Sequence, residues 1–277
     1  MKNFKTLFLF VIFINLISCS DTNVSYGTVD QTVDAVAVSG QFVKRVLIED
    51  YTGTWCGNCT RVSYGIDQVF AQPNNRAVAV AIHNGNDPFN FVEIAPLKNL
   101  ISPNNDLELP QSRLNRTITW TFPEPNNLQQ VKNLTSNNCG LGLAMNSTVS
   151  GGNINLDVKI KFAENYSNLR LVVYVLESNL IYFQRNYTPY YSGQNPIQNY
   201  EHNHVLRAGL TDLMGNIISE STNLGQTVTK SFVVPVPANI SNQANVDFVA
   251  FIVDENNNVI NVRAADANEN QSLEQNP

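Results

Sequence analysis

The chain has 277 residues, 43% of them hydrophobic, with 17 basic against 23 acidic side chains and a net charge of −6. An acidic chain offers no basic field to a polyanion, so no nucleic-acid partner is expected. Four cysteines are too few to staple a fold of this length, so stability must rest on apolar burial.

The first residues read as an export signal. Lys2 and Lys5 precede an apolar run from Leu7 to Ile14, and Leu16-Ile17-Ser18-Cys19 follows. The run is far shorter than the ~20 residues a spanning helix needs. The small Ser18 directly before Cys19 suits a lipoprotein peptidase, and the four residues resemble a lipobox. Residues 1–18 are therefore expected to be a signal peptide, and Cys19 the lipidated residue. Membrane attachment is expected through that anchor only. Ser20 after Cys19 fits delivery to the outer membrane. No later segment is apolar enough to cross a bilayer, since Ala77 to Ile82 and Phe248 to Val253 have the length of buried strands.

Residues 19–28 are small and polar, which predicts a lipidated tether. Val33 to Val38 and Phe42 to Tyr51 are rich in Val, Ile and aromatic residues around Ser39-Gly40, so residues 29–42 should open a β-hairpin whose second strand is buried. Beyond Thr52 to Cys59 the period changes. Val62, Ile66, Val69 and Phe70 recur at helical spacing, Pro73-Asn74-Asn75 should stop that helix, and Ala77 to His83 reads as another strand. Residues 84–105 suggest a loop-rich insertion with some helix around Phe91 to Leu100. Gln111 to Trp120 suits a strand, and Pro125 starts a helix whose Leu128, Val131 and Leu134 share one face.

From Gly140 the texture is β throughout. Leu141 to Val149, Ile154 to Phe162, Leu169 to Leu176, Val228 to Val236, Val246 to Val253 and Val259 to Ala264 are strand-like, with turns such as Ser150-Gly151-Gly152-Asn153 between them. That spacing suits an all-β sandwich of immunoglobulin-like kind. A Tyr-, Asn- and Gln-rich excursion from Tyr182 to Leu224 interrupts it.

Trp55-Cys56-Gly57-Asn58-Cys59 lies where a buried strand gives way to a helix. A Cys56 thiolate there would meet unpaired N–H groups and the positive end of the dipole, which lowers its pKa and makes it the attacking sulfur. Two intervening residues let Cys59 reach back and close a disulfide. Two other readings stay open. The pair could be half of a zinc site, although Cys139 with His83, His202 or His204 forms no recognisable second half. It could also be a static structural disulfide. His202 and His204 stand two apart and would share a face on a strand, but two ligands fall short of a metal site. Neither a metal nor a cofactor is expected.

Strand, Trp-Cys-Gly-x-Cys and amphipathic helix together resemble the thioredoxin superfamily. The resemblance implies that Asp50, six residues before Cys56, is a buried acid assisting proton transfer from Cys59, and that Pro110 is the cis-proline bordering a substrate groove. Asn58 stands where thioredoxins usually carry proline. With the lipobox and the β-rich second half, the chain resembles the twenty-eight-kilodalton outer-membrane lipoprotein family of Bacteroidota. The matching pieces are Glu49 to Cys59, Leu109-Pro110 with Leu114-Asn115-Arg116, and Tyr200 through Arg207.

The expected architecture is thus an α/β thioredoxin-like domain over 43–138 followed by an immunoglobulin-like sandwich over 139–277. The expected activity is thiol-disulfide exchange with envelope proteins through mixed disulfides, with Cys56, Cys59, Asp50 and Pro110 as catalytic residues. The alternative is a non-catalytic envelope binding or adhesion lipoprotein that keeps the thioredoxin fold as scaffold with a structural disulfide, using the sandwich and the Tyr-rich segment 182–201 for contact.

Overall fold

The computed structural model describes residues 36–104 and 107–277. Cys19, the signal peptide and the tether lie outside the described residues, as does the first half of the expected N-terminal hairpin.

Phe42 to Tyr51 is not one strand. β1 (Phe42–Lys44) pairs antiparallel with β6 (Ser136–Cys139), and β2 (Val46–Thr52) runs on separately. The break falls at Arg45, whose backbone N–H donates to Asn261 and whose guanidinium meets Glu274 at 2.7 Å. β2 is buried along its whole length, and β3 (Ala77–His83) nearly so, which is why both read as continuous apolar runs. They pair in parallel, joined by α1 (Thr60–Phe70). β4 (Gln111–Leu114) pairs antiparallel with the other edge of β2 and turns back into β5 (Ile118–Thr119).

α2 (Ala95–Ile101) lies in the segment expected to be a loosely built insertion, yet Phe91, Ile94 and Leu97 are core residues. α3 (Leu128–Lys132) brings Val131 against α1. The chain then forms β7 (Leu141–Ser150), β8 (Asn153–Phe162), β9 (Arg170–Glu177), β10 (Leu180–Gln184), β11 (Ile197–His202), β12 (Val205–Gly209), β13 (Asn216–Ile217), β14 (Thr227–Pro235), β15 (Val246–Val253) and β16 (Val259–Asp266).

The expected succession of an α/β thioredoxin-like domain and a separate immunoglobulin-like sandwich is corrected by the sheet order. A nine-stranded sheet runs β16-β15-β9-β12-β3-β2-β4-β5, with β13 also on β9, so its strands come from both sides of residue 139. Among the described residues α-helix is confined to three segments of 11, 7 and 5 residues. The joining strand is β12, inside the excursion that read as irregular. Val205 pairs in parallel with Ala81 on β3 and antiparallel with Glu177 on β9. With both edges of β12 occupied, neither half of the sheet ends there in an unpaired edge.

Alternation along the strands sorts side chains onto two faces. Leu171, Val173 and Val175 of β9, with Phe248, Ala250 and Ile252 of β15, face the three-stranded sheet β14-β8-β7. On the same face of the sheet, Val46, Ile48, Ala77 and Ala79 meet Val62, Ile66 and Val69 of α1. Each of the Val, Leu, Ile and Phe side chains among these contributes roughly 1.5–3 kcal/mol on full burial. The opposite face carries Leu47, Val80, Tyr174 and Phe251 and is covered by Phe91, Ile94 and Leu97.

Candidate functional site

β2 ends at Thr52, and two successive turns follow. The Cys56 N–H donates to the Gly53 carbonyl at 2.9 Å and the Cys59 N–H to the Cys56 carbonyl at 3.2 Å. Cys59, not Cys56, is the N-cap residue of α1, so Cys56 stands a turn before the helix. The two sulfurs form a disulfide with a Cα–Cα distance of 5.4 Å. Both residues are buried, at 5% exposure for Cys56 and 1% for Cys59.

The cover comes from the 184–190 segment, which crosses the CxxC turn as a strap. Gln184 Nε2 donates to the carbonyls of Gly53 and Cys56, the Arg185 N–H to Thr54 at 2.9 Å, and the Tyr187 N–H to Gly57 at 2.8 Å. Thr60 Oγ1 donates to Asn186 Oδ1 at 2.8 Å and lies 3.1 Å from Thr188 Oγ1. The Tyr187 ring rests on Gly57 so closely that a Cβ there would sit 2.3 Å from it. Stacking of Tyr64 on Tyr190 at 4.3 Å, and a 2.6 Å hydrogen bond from Tyr191 to Asp67, tie the strap to the outer side of α1. The sequence placed this segment in an irregular excursion. Its one local sign was the alternation of Tyr with amide side chains, which fits many loops.

Asp50 lies on the α1 face of β2, the face it shares with Ile48, and is 2% exposed. Its Oδ1 has no hydrogen-bond partner among the described residues. Burial, reinforced by the Glu124 carboxylate and only partly offset by Arg61, pushes its carboxyl well above the ordinary range. Arg61 is itself engaged with Glu124 at 2.5 Å. The Leu109–Pro110 bond is cis, and the β2–β4 register puts Pro110 beside Thr52, at the end of β2 that leads into the cysteines. Asp50 and Pro110 thus lie near the end of the strand that leads into Cys56 and Cys59. Cys139 is elsewhere, a free buried thiol in the sandwich core.

A cavity of about 120 Å³ lies between α1, β2, β3 and the 200–204 segment, with Asp50 in its lining. His83 and His202 line it with rings 5.3 Å apart. His83 Nδ1 is 2.9 Å from Asp87 Oδ2, which also accepts the Thr54 N–H. Burial works against ionisation of Asp87, but its bonds from His83, Thr54 and Phe89 outweigh it and hold the carboxyl below its usual range. His202 is pushed down to about 3 by burial and by the neighbouring His83, so it is neutral at physiological pH. Tyr200, raised to about 12 chiefly by burial, bonds Tyr191 and Ser63. No group of three His, Cys, Asp or Glu among the described residues is arranged to hold a metal.

The sequence matches the family described as outer membrane protein Omp28 over residues 104–271, more than half of the chain. That span includes Pro110, Arg116 and the Tyr200 to Arg207 piece, while the CxxC turn lies before it. No curated protein matches. Among solved structures, the chain is similar to HBP35 of Porphyromonas gingivalis, with a TM-score of 0.62 and 17% identity over 84% of this chain and 78% of that one, a likeness of fold alone. A domain of the outer membrane lipoprotein Omp28 from Porphyromonas gingivalis matches at 20% identity over 48% of this chain and 92% of its own, with a TM-score of 0.32. No helix among the described residues is long and apolar enough to cross a membrane. With more than half of its length matched to the family, the chain belongs to the Omp28 outer membrane proteins.

Proposed function

We propose that this protein is an outer-membrane binding lipoprotein, held by lipid on Cys19, in which the Cys56–Cys59 disulfide is a structural staple. The observation that carries this reading is the strap. Thiol-disulfide exchange needs in-line access to a sulfur, and here Gln184 to Thr188 are hydrogen-bonded across the turn with both cysteines buried beneath. A disulfide so covered ties the end of β2 to the first turn of α1 and fixes the floor on which the strap sits. The partners are envelope molecules bound without covalent exchange.

Equilibration of the mature protein with glutathione buffers tests this. The disulfide should stay oxidised at potentials that reduce thioredoxin-like pairs, about −270 mV. A Cys59→Ser variant isolated from its own envelope should carry no protein in reducible linkage. Reduction near that potential, or partners trapped through Cys56, would reverse the assignment.

A second reading is thiol-disulfide exchange with envelope proteins, and one observation favours it. Asp50 holds a proton in a buried position on the strand that leads into the cysteines, as a resolving step at Cys59 would require. In that case the strap must lift before any partner reaches Cys56.

A further inference from the structure

Two residues lining the cavity, Asp50 and His202, each carry a buried polar atom, Oδ1 and Nε2, that has no hydrogen-bond partner among the described residues. The two residues are 2% and 4% exposed. A buried polar atom left without a partner is costly, and two at one cavity mark a place for a ligand. We propose that this cavity binds a primary ammonium group, held by Asp50 and His202 against the wall formed by Tyr200 and Phe70. The site names a ligand class for the binding reading above and rests on it.

Charge selects the class. No Lys or Arg is among the lining residues, whereas Asp50, Asp67 and Glu201 are. An anion would meet carboxyl groups and the imidazoles of His202 and His204, whose pKa values burial lowers. His202 bonds the Phe183 backbone through its ring, which leaves Nε2 as a bare acceptor. That atom accepts from an N–H and has nothing to offer a second acceptor. Burial and Glu124 favour the protonated form of Asp50, and Arg61, the cation acting on it among the described residues, is already paired with Glu124. An ammonium group supplies donors for both atoms together with the missing positive charge, so Asp50 gives up its proton on binding and carboxylate and ammonium remain as an ion pair. A metal ion is the poorer fit, since no three ligating side chains are arranged to receive it among the described residues and His83 Nδ1 is committed to Asp87.

The pH dependence follows from the groups that face Asp50. Glu124 and Arg61 act from one side; Asp67, on α1, and Tyr200, on β11, complete the surroundings, with His83, Glu201, His202 and His204 around the rest of the cavity. Burial lowers the pKa of His204 and raises that of Asp67. The ligand enters already as an ammonium ion, which has no acceptor site, so the proton that Asp50 gives up passes to the buffer.

Calorimetric titration of the mature protein with methylammonium chloride tests the site, in two buffers of different ionisation enthalpy to count protons. Saturable binding with release of a proton is expected, weakening about tenfold for each pH unit below the Asp50 pKa. Asp50→Asn and His202→Phe should each abolish it, with folding checked by circular dichroism. If either variant unfolds, the wild-type Asp50 carboxyl carbon resonance, which should move on titration, gives the same answer. Equal binding of tetramethylammonium, methanol or acetate, binding of zinc in place of methylammonium, or no saturable heat would overturn the proposal. Because these outcomes are independent of the glutathione titration, a failed amine site with a resistant disulfide removes this inference alone.

Discussion

Nη2 of Arg116 lies 3.3 Å from Oε1 of Glu49, with neither side chain exposed. The same Nη2 donates to the Tyr174 hydroxyl at 2.7 Å, and the guanidinium lies 4.8 Å from the centre of the Phe251 ring. Glu49 is on β2 and Arg116 in the turn after β4, whereas Tyr174 and Phe251 belong to β9 and β15. One buried cation thus pins together strands far apart in both sequence and sheet.

Breaking that pair should be costly. Arg116→Met leaves Glu49 as an uncompensated buried charge, and a loss of roughly 3–5 kcal/mol is expected by urea denaturation. The Glu49→Leu, Arg116→Met double variant should lose clearly less than the sum of the single changes, as coupled partners do. Additive losses would show that the two side chains act independently.

The strap makes its own prediction at Gly57. A Cβ at this position meets the Tyr187 ring, but that ring is 61% exposed and free to swing outward. Gly57→Ala should therefore cost only about 1–3 kcal/mol, while the rate at which dithiothreitol reduces the disulfide rises sharply. Tyr187→Ala should raise the rate as well, by removing the cover. A rate unchanged in both variants would mean that the strap does not limit access.

Asp50 and His202 should tilt the pH profile in opposite directions. The raised carboxyl pKa of Asp50 means that its neutral form is the one folding accepts, so its contribution is full below the ordinary carboxylate range and is lost as pH rises through the folded value. Asp50→Asn should accordingly stabilise the protein at neutral pH, and the advantage should vanish near pH 4. His202, depressed to about 3, contributes above its unfolded value of ~6.5 and loses that contribution as pH falls toward 3. His202→Gln should flatten the acid limb of a plot of melting temperature against pH.

The anchor is checked separately. Cys19→Ser should leave the precursor uncleaved by the lipoprotein peptidase and unlabelled by a radioactive fatty acid. Normal labelling of that variant would remove the lipid assignment.

Much of the local structure was legible in the chain because it depends on short-range periodicity. The 3.6-residue recurrence of Val62, Ile66 and Val69 marked α1, and the apolar runs at Ala77–His83 and Val246–Val253 marked β3 and β15 to the residue. The CxxC spacing allowed the disulfide that forms, and burial of Asp50 follows from its place in a strand covered on both faces.

What those patterns could not carry was which strands become neighbours. Val205-Leu206-Arg207-Ala208-Gly209 is short and holds an arginine, so by itself it does not announce a central strand. It becomes one because β3 and β9 offer open edges to it, and because Glu177, 3.3 Å from Arg207 Nε, compensates the charge. The strap is the same kind of fact. Nothing within Gln184 to Thr188 says that its hydrogen-bonding groups will meet Gly53, Cys56, Gly57 and Thr60, more than 120 residues away. Local sequence sets the period and burial of each element, while pairing across such distances is selected only when the folded chain brings unsatisfied donors and acceptors together, and that selection belongs to the tertiary structure.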